Sequence, residues 1–190
     1  SIASADRVHY QIKDRRFQVT GGSFFQVNLP QAERLVDLVL DRLSLTGDER
    51  VLDLYSGVGL FTAFLAARAR QVTAVEVYAP AVRDAEVNLA DFANVDLRVG
   101  AIESALGRSR VDAAVVDPPR AGMKPKALEA LVACAPRRIV YVSCDPATLA
   151  RDARKLVESG YRLIDVQPVD MFPQTYHVES VAAFEKADSP

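Results

Sequence analysis

Residues 51–59 read Val-Leu-Asp-Leu-Tyr-Ser-Gly-Val-Gly, a short apolar run that ends in an acidic residue and two glycines one residue apart. A run of this length closed by glycine reads as a buried strand entering a tight turn. Glycine accepts the positive φ of such a turn and lets the backbone approach a ligand closely. In open α/β sheets ligands bind beyond the carboxyl ends of the strands, so Asp53, Tyr55, Gly57 and Gly59 are candidate binding residues. The pattern is not a complete dinucleotide fingerprint, because Thr62 stands where a third glycine would. Taken alone it also fits an ordinary strand-to-helix turn.

Outward from this stretch the pattern repeats. Further apolar runs lie at 72–77 (VTAVEV), 95–99 (VDLRV), 111–117 (VDAAVVD) and 137–143 (RRIVYVS). Helical stretches are predicted at 60–69, 79–92, 125–134 and 146–158, between most of these runs. Strand alternating with helix implies a parallel sheet covered on both faces. The last two runs, YRLIDVQPV and VESVAAFEK, have no helix between them. They predict a closing antiparallel pair, with Pro168 breaking the first. Towards the amino end, Val8, Tyr10, Ile12, Phe17 and Val19 flank Asp14 and Arg15 and predict a short hairpin. SFFQVNLP then runs extended to Pro30, which opens a helix carrying Ala32, Leu35, Val36, Val39, Leu40 and Leu43. The expected architecture is a Rossmann-like α/β fold with a mainly parallel seven-stranded sheet, an antiparallel final strand, and helices on both faces. The expected division is an N-terminal extension at 1–30, one catalytic domain at 31–186 and a tail at 187–190.

Composition narrows the class. With 190 residues, 49% hydrophobic and 25% charged, the chain suits one globular domain. No segment approaches the roughly 18 consecutive apolar residues of a membrane helix. Cys134 and Cys144 are too few for a disulfide framework, and no Cys/His cluster has metal-site spacing, so a cytoplasmic protein without a metal is expected. The net charge of -2 argues against a dedicated nucleic-acid binder. The chain also begins like the interior of a protein, at SIASADRVHY, so a fragment lacking its substrate-gripping part is expected.

Three further strand ends carry candidate chemistry. Glu76 follows Asp53 by 23 residues, where an acidic side chain accepts hydrogen bonds from ribose hydroxyls. That spacing serves either a nicotinamide dinucleotide or S-adenosylmethionine. The next-but-one strand ends in Asp117-Pro118-Pro119-Arg120, a stiff loop headed by a polar residue. Nucleic-acid base methyltransferases use such a loop, whereas a dehydrogenase has no evident use for one. The strand RRIVYVS runs into Cys144-Asp145-Pro146, with Asp145 suited to cap a helix and Pro146 to open it. Cys144 therefore meets a helix N-terminus, which is expected to lower its thiol pKa. Cys134, inside the helical run LEALVACA, reads as a small buried hydrophobe. Between the last two strands, MFPQTYHVE offers Glu179 as a general base beside aromatic rings.

FFQVN, DLYSGVG, DPPRAG, IVYVSCDPATLARD and DMFPQTYHVE, in this order, resemble the RNA 5-methyluridine methyltransferases over roughly residues 22–185. The resemblance implies a class I methyltransferase fold and carbon-5 methylation of a uridine, with S-adenosylmethionine converted to S-adenosylhomocysteine. It implies Cys144 as the nucleophile and Glu179 as the base that removes the carbon-5 proton. Asp117 and Gln26 would line the base and cofactor pocket, and Tyr55, Gly57 and Glu76 would contact the cofactor. FFQVN and VSCDPATLARD look closer to the ribosomal-RNA members than to the transfer-RNA ones. Ala101 departs from the family, which often has Asn or Asp there. An N-terminal RNA-binding barrel, common in the family, would answer the negative charge, and some members carry an iron–sulfur cluster. Three rivals stay open. An amino-methyltransferase would need no thiol and an aromatic residue in place of Arg120. A cytosine-5-methyltransferase of RNA would use two cysteines on strand-end loops. A non-catalytic RNA- or cofactor-binding module would not require Cys144, Glu179 and Asp117 together.

Overall fold

The computed structural model describes residues 7–107 and 109–187. The tail expected at 187–190 lies, apart from Ala187, outside the described residues. A seven-stranded sheet carries the chain. Its strands are β3 (Arg50–Leu54), β4 (Gln71–Glu76), β5 (Val95–Val99), β6 (Ala113–Val116), β7 (Arg138–Ser143), β8 (Tyr161–Val169) and β9 (Glu179–Lys186). Their spatial order is β5-β4-β3-β6-β7-β9-β8. The first five are parallel, and β9 runs antiparallel to both β7 and β8. Strand order reverses between β3 and β6, which opens a crevice at their carboxyl ends.

The residues alternate faces along each strand, and so build two cores. Val51, Ala113, Val115, Val140 and Val142 face one core. There they meet α1 (Leu29–Leu43), α2 (Leu60–Ala66) and α3 (Ala79–Asn88). Leu52, Leu54, Ala114, Val116, Ile139 and Tyr141 face the other, against α5 (Pro125–Ala133) and α6 (Pro146–Glu158). A one-turn helix, α4 (Ile102–Ala105), was not foreseen in the sequence and places Ile102 in the second core.

The hairpin forms from β1 (Arg7–Ile12) and β2 (Arg15–Thr20), turning at Lys13 and Asp14 rather than at Asp14 and Arg15. Ile12, Phe17 and Val19 are buried in the first core. Asp84 of α3 accepts hydrogen bonds from Thr20 N (2.8 Å), Thr20 Oγ1 (2.7 Å), Ser23 Oγ (3.0 Å) and Gln18 Nε2 (3.1 Å). A buried carboxylate requires partners of this kind. Pro168 does not break β8, contrary to expectation. The strand lies at the sheet edge, where a missing N–H need not interrupt a ladder, and Pro168 stays in register opposite Ser180; the one register shift lies earlier, between Leu163 and Asp165.

Candidate active site

Two strand ends, those of β3 and β4, form the first half of the site. After β3, the amides of Tyr55 and Ser56 donate to Val75 O at 3.0 and 3.1 Å. Gly57 follows at φ +55, and a Cβ added there would meet nothing within 4 Å. Its N–H donates to Glu76 Oε2 at 2.9 Å, while Glu76 Oε1 accepts from Val77 N and Tyr78 N, each at 2.7 Å. Glu76 thus shapes both the glycine turn and the loop after β4. Gly59 has a different reason to be glycine. It lies at φ +90, and an added Cβ would sit 2.9 Å from Leu89, so packing of α2 demands it.

Two buried polar atoms of this turn, Asp53 Oδ1 and Ser56 Oγ, have no hydrogen-bond partner, and neither has the buried Gln26 Oε1 ahead of α1. Leaving such a group unpaired costs about 1–3 kcal/mol, which a polar ligand removes. Asp53 is fully buried, and burial lifts its pKa to about 7 against the opposing hydrogen bonds of Thr62. Ser56 was missed in the sequence reading. Its only signal there is its place between Tyr55 and Gly57.

The second half lies where β6 and β7 end and the antiparallel β9 begins. β7 and β9 pair Ser143 with Ser180 in antiparallel register. One step further, that register sets Cys144 beside Glu179. Two residues 35 positions apart in sequence therefore meet at one seam. Asp117 leaves β6 with its N–H on Leu54 O at 3.2 Å, at the reversal of strand order. Asp145 caps α6 through Ala147 N (3.0 Å) and Thr148 N (2.9 Å), as its sequence predicts. Arg120 Nε approaches Asp145 Oδ2 at 3.4 Å, which brings a cation to the rim of the site.

The electrostatics correct one expectation. The Cys144 thiol is pushed up, not down, by burial first and then by the carboxyls of Glu179 and Asp117. Its own backbone N–H and Arg120 pull the other way and do not prevail. A helix N-terminus is outweighed by two acidic groups in a half-buried site. Asp117 is itself raised well above the carboxylate range, by burial, then Glu179, then Asp53. Burial lifts Glu179 to about 7. Asp53, Asp117, Glu179 and Cys144 therefore form one electrostatically connected array along the sheet edge.

Glu179 is only 4% exposed, so ionising it costs the fold. Its folded pKa of about 7 lies above its ordinary 4.5. The folded state thus holds the proton longer, and the penalty builds as pH rises from 4.5 to 7. Glu179→Gln is expected to stabilise the protein at pH 8 by up to about 3 kcal/mol. The gain should vanish below pH 4.5. Equal melting temperatures for both proteins at pH 8 would show that Glu179 is not held in a desolvated site.

The loop between β8 and β9 adds an aromatic rim. His177 lies 4.3 Å from the Tyr176 ring and 6.0 Å edge-on from Phe172, and Tyr176 is 82% exposed. Beside it, Val27, Pro30, Met171, Phe172 and Pro173 line a shallow groove. A larger cavity, about 950 Å³, lies at the opposite, amino ends of the strands, between Leu43, Ala113, Arg138 and Glu185, remote from every candidate residue. Among the described residues no group of three or more His, Cys, Asp or Glu side chains is placed to hold a metal ion. No described helix is long and apolar enough to cross a membrane.

Comparison with known proteins agrees with this geometry. The sequence model of the tRNA (uracil-5-)-methyltransferase family matches residues 5–105 and 97–187. An uncharacterized RNA methyltransferase of Caldanaerobacter subterraneus is 46% identical over 182 residues, covering 92% of this chain and 40% of that protein. One of Chlorobaculum tepidum is 43% identical over 199 residues, covering 98% and 41%. The Pyrococcus abyssi tRNA (uracil-54, C5)-methyltransferase, solved with S-adenosyl-L-homocysteine, superposes with a TM-score of 0.82 at 34% identity. That superposition covers 96% of this chain and 45% of the Pyrococcus chain. The chain thus spans about two fifths of the length of the curated relatives it matches.

Proposed function

The chain belongs to the tRNA (uracil-5-)-methyltransferase family, and from that premise we propose that it methylates carbon 5 of a uridine in RNA, using S-adenosylmethionine and a covalent adduct between Cys144 and carbon 6. The observation that carries this reading is the meeting of Cys144 with Glu179 at the β7–β9 seam, beside Asp117. The protein is read as cytoplasmic, with additional RNA-gripping surface outside these residues.

The residues fit the cofactor. Gln26, Asp53 and Ser56 offer unpaired buried polar atoms, Gly57 leaves open space, and Glu76 presents a carboxylate at the end of β4. Tyr55 and Gly59 set the turn between them. When bound, S-adenosylmethionine supplies an electrophilic methyl carbon. The rest is done by the chain. Cys144 gives up its proton to solvent and its sulfur adds to carbon 6, which moves an electron pair to carbon 5, where the methyl carbon supplied by the cofactor would bond as its own bond to the cofactor sulfur breaks. Asp117, whose carboxyl is pushed up first by burial and then by Glu179 and Asp53, hydrogen-bonds the uracil edge and keeps the ring over the thiol. Glu179 then takes the carbon-5 proton, and the carbon 6–sulfur bond breaks to release the thiolate. The target uridine must first be turned out of its stack to enter.

Ribosomal RNA is the favoured substrate, on the FFQVN and VSCDPATLARD blocks. Transfer RNA is the second reading, favoured by the 34% identity to the Pyrococcus abyssi tRNA (uracil-54, C5)-methyltransferase. Mapping 5-methyluridine in both RNA pools, with and without the full-length protein, tests the function and separates the two. Loss of the mark from neither pool would refute it.

For the cofactor site, Glu76→Ala should weaken S-adenosylmethionine binding by roughly 10–100-fold, the loss of one charge-assisted hydrogen bond. Calorimetry that returned the wild-type affinity would remove Glu76 from the site.

A further inference from the structure

We propose that Asp152 and Arg151 are positioning residues that lock the Asp117 loop to the helix behind Cys144, so that the two groups flanking the uracil move as one body. This inference rests on the proposed function.

Asp152 is 1% exposed, inside α6. Its Oδ2 accepts from Met123 N at 2.8 Å and from the Tyr141 hydroxyl at 2.7 Å. Its Oδ1 accepts from Arg151 Nε at 2.9 Å. Arg151 Nη2 in turn donates to Ala121 O at 2.9 Å and to Met123 O at 3.4 Å. Between those two contacts stands Gly122, at φ +74, where an added Cβ would overlap both Arg151 Nη2 and Asp152 Oδ2. The loop backbone therefore closes directly onto the two side chains. Thr148 Oγ1 adds a third tie, to Arg120 O at 3.1 Å.

The ties join the three elements that matter. Asp117 begins the tied loop, Tyr141 lies three residues before Cys144 on β7, and α6 starts two residues after it. A loop of this length left to itself would let Asp117 drift relative to the thiol. A misplacement of about 1 Å at a reacting centre can cost on the order of 100-fold in rate. A buried carboxylate with three donors is an expensive feature for a surface loop alone, because removing any partner strands a charge. Its placement is explained by the need to fix Asp117 against Cys144.

The test compares Asp152→Ala and Asp152→Asn with wild type in the full-length protein. It reads the single-turnover rate of adduct formation on 5-fluorouridine RNA, the affinity for S-adenosylmethionine, and amide exchange of residues 120–124. Asp152→Ala should slow adduct formation roughly 10–100-fold with cofactor affinity within about twofold. Loop amides should exchange at least about tenfold faster. Asp152→Asn keeps an oxygen for Met123 and Tyr141 and should restore most of both. Should the alanine variant not fold, Arg151→Ala strips the contacts to Ala121 and Met123 from a half-exposed side chain and carries the same expectation. A folded variant with wild-type adduct rate and loop exchange overturns the proposal. So do alanine and asparagine variants that are equally slow, or a parallel loss of cofactor affinity, which would mark a purely structural role. A wild-type protein that forms no Cys144 adduct would instead sink the proposed function. Unchanged exchange in Asp152→Ala would then still refute the coupling itself.

Discussion

Cys144→Ala is expected to abolish 5-methyluridine formation, by about a thousandfold or more, while S-adenosylmethionine binds as before. The size follows from what the thiol does. Carbon 5 of uracil is a poor nucleophile until sulfur adds at carbon 6, and the other thiol, Cys134, lies buried at the end of α5. The selectivity follows from place. Cys144 leaves β7 beside Glu179, whereas the glycine turn, Asp53 and Glu76 gather around β3 and β4. Burial and two acidic neighbours raise the thiol, so adduct formation by the wild-type protein is expected to slow as the pH falls. A Cys144→Ala protein that still produced 5-methyluridine would overturn the mechanism. An adduct found on Cys134 would keep the chemistry and refute the residue; Cys134 is 2% exposed, facing Gly107 O at 3.4 Å.

Glu179→Gln is expected to trap the reaction instead of preventing it. The amide keeps the shape of the side chain but cannot take the carbon-5 proton, so addition proceeds and release stalls. A protein–RNA adduct should accumulate, survive denaturing electrophoresis and disappear in the Cys144→Ala/Glu179→Gln double variant. The pH dependence has a definite sign. A base with a pKa of about 7 is protonated below that value, so product release should fall about tenfold per pH unit below 7. The same side chain is the one whose replacement should stabilise the fold at pH 8, a pairing of lost function with gained stability expected of a desolvated catalytic carboxyl. Glu179→Gln turning over at the wild-type rate, with no adduct, would assign the proton to another group.

The architecture was legible in residues that act locally. Val51–Tyr55 is short and largely apolar, Val95–Val99 alternates apolar with charged residues, and both are bounded by turn residues, so length and flanking residues separate strand from helix. Asp145 and Pro146 predicted the start of α6 because a cap needs only its own next three residues. The residues proposed for the mechanism, Cys144 and Glu179, come from SCDPATLARD and FPQTYHVE, blocks through which the sequence resembles the family. What adjacency in sequence could not supply was adjacency in space. Pro168 looked like a strand breaker until the sheet order put β8 at the edge. Gly59 is a candidate ligand residue by its place in the turn, and only the fold adds that Leu89, thirty positions on, packs against it. The helix N-terminus at Cys144 promised an acidic thiol, since a dipole is written into the local sequence. The opposing carboxyls arrive from other strands, Asp117 from β6 and Glu179 from β9, and the low-dielectric seam that strengthens their effect exists only once the sheet has closed around it.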